Sequence, residues 1–151
     1  MSTTRYLEDY QAGQQFSSGP VTLTTEMIKT FARDYDPQGF HTDEAAADTS
    51  FFKGLAASGW HTAALTMRML VDSDLSPEGG VIGGGVDELK WPVATRPGDT
   101  LRLQINVEDV RRSASKPERG FIRVRVLTLN QNDVIAQSMV ANLVVPTRSR
   151  G

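Results

Sequence analysis

Apolar positions in this chain change their period once. Up to Asp72 they recur mainly at helical spacing, and from Asp87 onward they alternate with polar residues. Met27, Ile28, Phe31 and Tyr35 lie on one face of a predicted helix, with Thr24 or Thr25 as its N-cap and Glu26 in its first turn. That helix must stop at about Tyr35, because Pro37 drives Asp36 out of the α region. Thr42 is placed to cap a second, short helix through Asp43, Glu44 and the alanines that follow. A third runs from Ser58 or Gly59 to about Asp72. Trp60, Ala63, Ala64, Leu65, Met67, Met69, Leu70 and Val71 cover most of its circumference, which predicts burial nearly all round and makes Trp60, Met67 and Met69 core residues.

The remaining pattern is extended. Phe16 to Leu23 reads as a short strand after a turn at Gly13. SPEGG (Ser76–Gly80) and GGG (Gly83–Gly85) read as breaks, followed by a short strand from Asp87 to Trp91 that Pro92 stops and a turn at Arg96–Asp99. Leu101, Leu103, Ile105 and Val107 alternate with polar partners, as do Ile122, Val124 and Val126 within Gly120–Leu129, and Met139, Ala141, Leu143 and Val145. Asn130–Asp133 is placed as a hairpin turn between the last two. A half-buried antiparallel sheet needs one face covered, and only the Gly59–Asp72 helix is apolar enough to lie in its curve. The expected fold is α+β: one hot-dog domain over residues 1–151, a curved antiparallel sheet wrapped around a buried central helix. No repeat, low-complexity tract or linker divides the chain.

Composition narrows the functions open to such a domain. The 16 basic and 18 acidic residues nearly cancel, so the overall field supplies no case for a nucleic acid or an anionic membrane as partner. The absence of cysteine removes disulfides, thiolate metal sites and cysteine nucleophiles, and two histidines without fitting carboxylate spacing give no metal site. MSTTRYLEDY lacks a basic-then-apolar signal pattern, and no apolar run reaches the roughly 18 residues that span a bilayer, so a soluble, cytoplasmic protein is expected. GGVIGGG lacks the Lys-Ser/Thr of a nucleotide loop and precedes a strand.

The candidate chemistry sits in DPQGFH (Asp36–His41) and the FFKGLAASGWHTAAL run after it (Phe51–Leu65). An acid and a histidine stand five residues apart, with a proline and a glycine between them, ahead of a glycine that opens an apolar helix. This segment resembles the signature of the MaoC-like dehydratases, or (R)-specific enoyl-CoA hydratases. In that pattern an acid, any residue, Asn, Pro, an aliphatic and His precede a Phe-Gly-Gly turn and a His-Gly pair. Asp36 and His41 fall on its acid and histidine, Phe52-Lys53-Gly54 on its turn, and Ser58-Gly59 on its His-Gly pair. Gln38, Gly39, Phe40, Lys53 and Ser58 depart from it, which bears on substrate choice more than on reaction type.

The resemblance implies reversible hydration of a trans-2-enoyl-CoA, or an acyl-carrier-protein thioester, to the (R)-3-hydroxyacyl form. It implies that coenzyme A arrives as part of the substrate with no cofactor consumed, and that the protein is a homodimer with each pocket near the subunit boundary. The chemistry needs a base for water, an acid for the α-carbon and a donor for the thioester oxygen. Asp36 and His41 can hold one water between them, with base and acid roles assignable either way. The N–H of Gly59, unpaired at a helix start, can serve as oxyanion donor, and its missing side chain lets the oxygen approach. Gln38, Ser58 and Trp60 are candidate substrate contacts; Ser58 reads equally as an N-cap, and Trp60 as core. His61 reads as structural or pocket-lining. The basic cluster Arg111, Arg112, Lys116 and Arg119 reads either as a phosphate contact or as a solvated loop. A thioesterase on the same fold and a non-catalytic acyl-CoA-binding subunit are the rival readings.

Overall fold

A computed structural model describes residues 3–148. After a single 3-10 turn at Leu7–Asp9, strand β1 (Gln15–Thr22) leads to helix α1 (Thr25–Tyr35). Short helices α2 (Gly39–Thr42) and α3 (Glu44–Asp48) precede α4 (Gly59–Asp72), and four strands follow: β2 (Ile82–Lys90), β3 (Thr100–Arg112), β4 (Arg119–Leu129) and β5 (Ile135–Pro146). The five strands make one sheet in the order β1-β3-β4-β5-β2 with every neighbouring pair antiparallel. Helix α4 lies across its inner face. This is the hot-dog arrangement expected from the pattern.

The alternation written in the strands becomes rows of buried side chains. Half-buried Phe16 and buried Ile105, Val126 and Met139 are register partners across β1, β3, β4 and β5, and buried Val107, Val124 and Ala141 form a second row that ends at the exposed Val86 of β2. Leu101, Leu103, Ile105, Ile122, Val124 and Val126 are fully buried, each contributing about 1.5–3 kcal/mol of transfer free energy. One row differs: Thr128 on β4 pairs with Gln137 on β5, and both polar side chains are fully buried against α4. The outer face carries charge instead, where Arg123 pairs with Asp87 at 3.0 Å and Arg125 with Glu108 at 2.8 Å.

Three local expectations need correction. The segment at Gly39–Thr42 is a turn of helix, and Thr42 lies at its end, donating to the Gln38 carbonyl at 3.1 Å; the cap of α3 is Asp43, which accepts from the N–H of Ala45. The Gly83–Gly85 run does not break the chain but lies inside β2, whose pairing with β5 is irregular between Gly83 and Gly85. Glycine lowers strand propensity, and the neighbouring strand's hydrogen bonds override it. Lastly, α4 is not buried all round: Thr62, Thr66, Met69 and Leu70 are buried towards the sheet and His61 against Phe31 of α1, whereas Trp60, Ala64, Met67 and Val71 form an exposed apolar stripe. Trp60 and Met67 are therefore surface residues in one copy of the chain, and only Met69 joins the core. A sheet covers one side of a helix, so apolar residues on the far side stay largely exposed within one chain.

Candidate active site

Helix α1 is capped by the Thr24 hydroxyl, which accepts from the N–H of Met27, and ends at Tyr35 as Pro37 requires. Asp36 leaves the α region at φ −151°, ψ 66°, and the chain returns through α2. That single helical turn brings His41 back towards Asp36, leaving 3.3 Å between His41 Nε2 and Asp36 Oδ2. His41 is buried, with its ring packed edge-on against Phe40 and tilted against Phe52. Its Nδ1 lies 2.5 Å from the carbonyl of Ala56. A carbonyl only accepts, so Nδ1 carries the proton, and Nε2 is the atom left to exchange one with Asp36.

Burial pushes the Asp36 carboxyl up, but hydrogen bonds from the Gln38 amide and the Ser58 hydroxyl and the positive charge available at His41 outweigh it. The net result lies below the ordinary value of 3.8. Gln38 Nε2 donates to Asp36 Oδ1 at 2.5 Å, so this exposed side chain touches the carboxylate. Ser58 is fully buried; its oxygen accepts the N–H of Trp60 at 3.2 Å, and its hydroxyl supports Asp36. It is the cap of α4 and at the same time a link between that helix and the carboxylate. With Ser58 occupied by the Trp60 N–H, the N–H of Gly59 remains at the positive end of α4 with no intrahelical acceptor.

The loop before α4 is stitched from three sides. Ala56 donates to the Phe40 carbonyl at 3.2 Å while its own carbonyl holds His41, and Ala57 donates to Thr95 at 2.8 Å. Arg96 reaches the carbonyls of Phe52, Gly54 and Leu55 at 2.5, 2.9 and 3.3 Å. The turn it clamps places Lys53 at φ 57° and Gly54 at φ 148°, both in the region glycine favours. That explains a Phe-Gly-Gly preference physically, and three hydrogen bonds from Arg96 hold the turn where lysine replaces the first glycine.

These elements close around a cleft of about 250 Å³ whose lining includes His41, Phe52, Gly59, Thr62, Trp91 and Thr95. The cleft holds His41 and the helix-opening Gly59 together, with Asp36 reaching His41 from the end of α1. Trp60 does not line it. That indole is exposed and meets Trp91 edge-on, with ring centroids 5.2 Å apart, because position 60 falls on the outer stripe of α4. His61 points the other way, stacked on Phe31 at 4.6 Å in a structural position. The basic cluster sits at the far end of β3 and β4 from the cleft, where Arg111 pairs with Asp109 and Arg112 with Glu8. Arg96, Trp91 and Ala56 escape sequence reasoning: an arginine in a Pro-Gly turn reads as solvated, a tryptophan before proline reads as a strand end, and a backbone carbonyl leaves no signature.

Residues 9–129 match the sequence profile of the MaoC like domain. The chain is 46% identical to the MaoC-like dehydratase from Rhodospirillum rubrum, whose crystal structure superposes with a TM-score of 0.92 over 96% of this chain and 99% of that one. The uncharacterized protein YdeM of Bacillus subtilis (strain 168) shares 27% identity over 128 residues, 85% of this chain and 89% of its own. With the (R)-hydratase from A. caviae involved in PHA biosynthesis the likeness is one of fold, at 21% identity and a TM-score of 0.75 over 92% of this chain and 99% of that one. The profile match runs from the 3-10 turn to the end of β4 and takes in the acid, the histidine and the helix-opening glycine, so the chain belongs to the MaoC-like domain family.

Proposed function

We propose that this protein interconverts a trans-2-enoyl thioester and its (R)-3-hydroxyacyl form, with coenzyme A or a carrier-protein arm as the thiol and no cofactor consumed. One observation carries the reading: His41 Nε2 faces Asp36 Oδ2 at 3.3 Å, and His41 lines one cleft with Gly59 at the opening of α4. The MaoC-like dehydratase from Rhodospirillum rubrum and the A. caviae (R)-hydratase support it as relatives in sequence and in fold respectively.

In the hydration direction Asp36, held ionised by Gln38 and Ser58, takes a proton from water while the water oxygen bonds to the β-carbon. Electrons of the double bond move towards the thioester oxygen, where the Gly59 N–H meets the developing charge. The proton gained by Asp36 passes across their contact to His41 Nε2, which delivers it to the α-carbon, so the pair ends as it began. The Nδ1–H stays on Ala56 throughout and fixes the ring.

We further propose a homodimer. Its support is the exposed apolar stripe of α4 together with exposed Ile82 and Val86 on β2, a strand at the edge of the sheet. An unpaired edge strand beside an apolar patch is the surface that a second copy covers.

Crotonyl-CoA tests the reaction. Loss of the enoyl absorbance without free thiol is expected, falling at least about 100-fold in Asp36→Asn and His41→Ala, the scale of one general acid–base group. Release of thiol from the wild-type protein overturns hydration in favour of thioester hydrolysis.

A further inference from the structure

The space that a side chain at position 59 would need is taken by an indole. A Cβ built there would lie 2.7 Å from Cδ2 and from Cε2 of Trp91, so the indole rests directly on the Gly59 backbone. The N–H of the indole is tied down as well. Trp91 Nε1 donates to Gln137 Oε1 at 2.8 Å, and Gln137 is fully buried. The Gln137 amide donates in turn to Thr66 Oγ1 at 3.2 Å, and Thr66 is bonded to Thr128 at 2.6 Å, both of these also fully buried. The polar row on the inner face of the sheet thus runs from the core to one side chain in the cleft. A buried amide whose partner is lost costs about 1–3 kcal/mol, which ties the indole orientation to the core.

We infer that Trp91, positioned by Gln137, is the wall that limits the acyl group of the substrate to short chains. This rests on the proposed reading of the cleft as an enoyl-thioester site. Three observations carry it: the ring lies against the glycine where the thioester oxygen would bind, it lines the same cleft as His41, and that cleft is small. A volume of about 250 Å³ falls below the roughly 300–1,000 Å³ of sites that take drug-sized ligands. A side chain that rests one face on Gly59 and is tied at its N–H to Gln137 cannot swing aside as a flexible one would, so extra methylenes meet a rigid surface. Trp91 is a specificity residue and Gln137 a positioning residue acting through it.

Saturated acyl-CoAs, which cannot be hydrated, separate this inference from the reaction. Calorimetric titration with butyryl-CoA and octanoyl-CoA is expected to show tighter binding of the shorter chain by roughly tenfold or more, the discrimination a pocket draws from methylene-scale misfit. Trp91→Ala should erase or invert that order. Trp91→Phe keeps a ring on Gly59 but removes the donor to Gln137, and should loosen discrimination part of the way; it decides the matter if Trp91→Ala does not fold. Octanoyl-CoA bound as tightly as butyryl-CoA by the wild-type protein, an order unchanged in both variants, or no binding of either thioester overturns the inference. The predicted binding order without any turnover of crotonyl-CoA upholds the wall and removes the hydratase reading.

Discussion

Asp36 and His61 show how differently two titratable side chains are held within one small chain. Asp36 keeps about a fifth of its side chain exposed and is surrounded by donors, so its carboxyl sits below its ordinary value. His61 is buried against Phe31, with Nδ1 lacking a hydrogen-bond partner among the described residues, and burial alone lowers its pKa. A histidine whose folded pKa lies below its unfolded value of 6.5 adds stability fully above that value and loses it as pH falls through the folded one. The wild-type protein should therefore lose thermal stability as pH falls from 7 towards 5. His61→Gln, neutral throughout, should lose less over the same window. Parallel melting curves at those two pH values check this, and equal losses in both proteins would show that protonation of His61 is not resisted.

At the scale of the element, α4 depends on how it begins. Ser58 caps it and Gly59 admits Trp91, so two consecutive residues serve the helix, the carboxylate and the cleft wall together. Gly59→Ala sets two effects against each other. Helix propensity favours alanine by up to about 1 kcal/mol, and least at a first position. Overlap with the indole at 2.7 Å costs about 1–3 kcal/mol, because the hydrogen bond from Trp91 Nε1 to Gln137 holds the ring in place. The clash should win. Urea denaturation is expected to give a lower midpoint for Gly59→Ala, and a raised midpoint would mean that Trp91 moves freely.

The whole molecule presents two surfaces of opposite character. Its outer sheet face is laced by Arg123 and Arg125 to carboxylates on β2 and β3, while the outer side of α4 shows Trp60, Ala64, Met67 and Val71 to solvent. If a second copy covers the latter, wild-type protein should sediment as two chains. Met67→Glu, which places a charge at the centre of the stripe, should shift it to one. A wild-type protein that sediments as a single chain at all concentrations removes the dimer.

Much of this organisation is legible in the chain because it is local. Period-two alternation on β3, β4 and β5 reports which face is buried, Pro37 ends α1 by sterics within two residues, and the spacing of Asp36, His41 and Gly59 follows from chain order. Helix α4 exposed the limit of that reasoning: apolar residues all round it signal burial, but whether the partner is the chain's own sheet or another copy depends on where the sheet ends. Tertiary structure alone decided that Arg96 clamps the Phe52–Leu55 turn, that Ala56 orients His41, and that Gln137 anchors Trp91 over Gly59. Each of these joins segments 15 to 46 residues apart through a carbonyl or a single side-chain atom. No periodicity encodes such a contact, since it exists only once the sheet has brought its ends together.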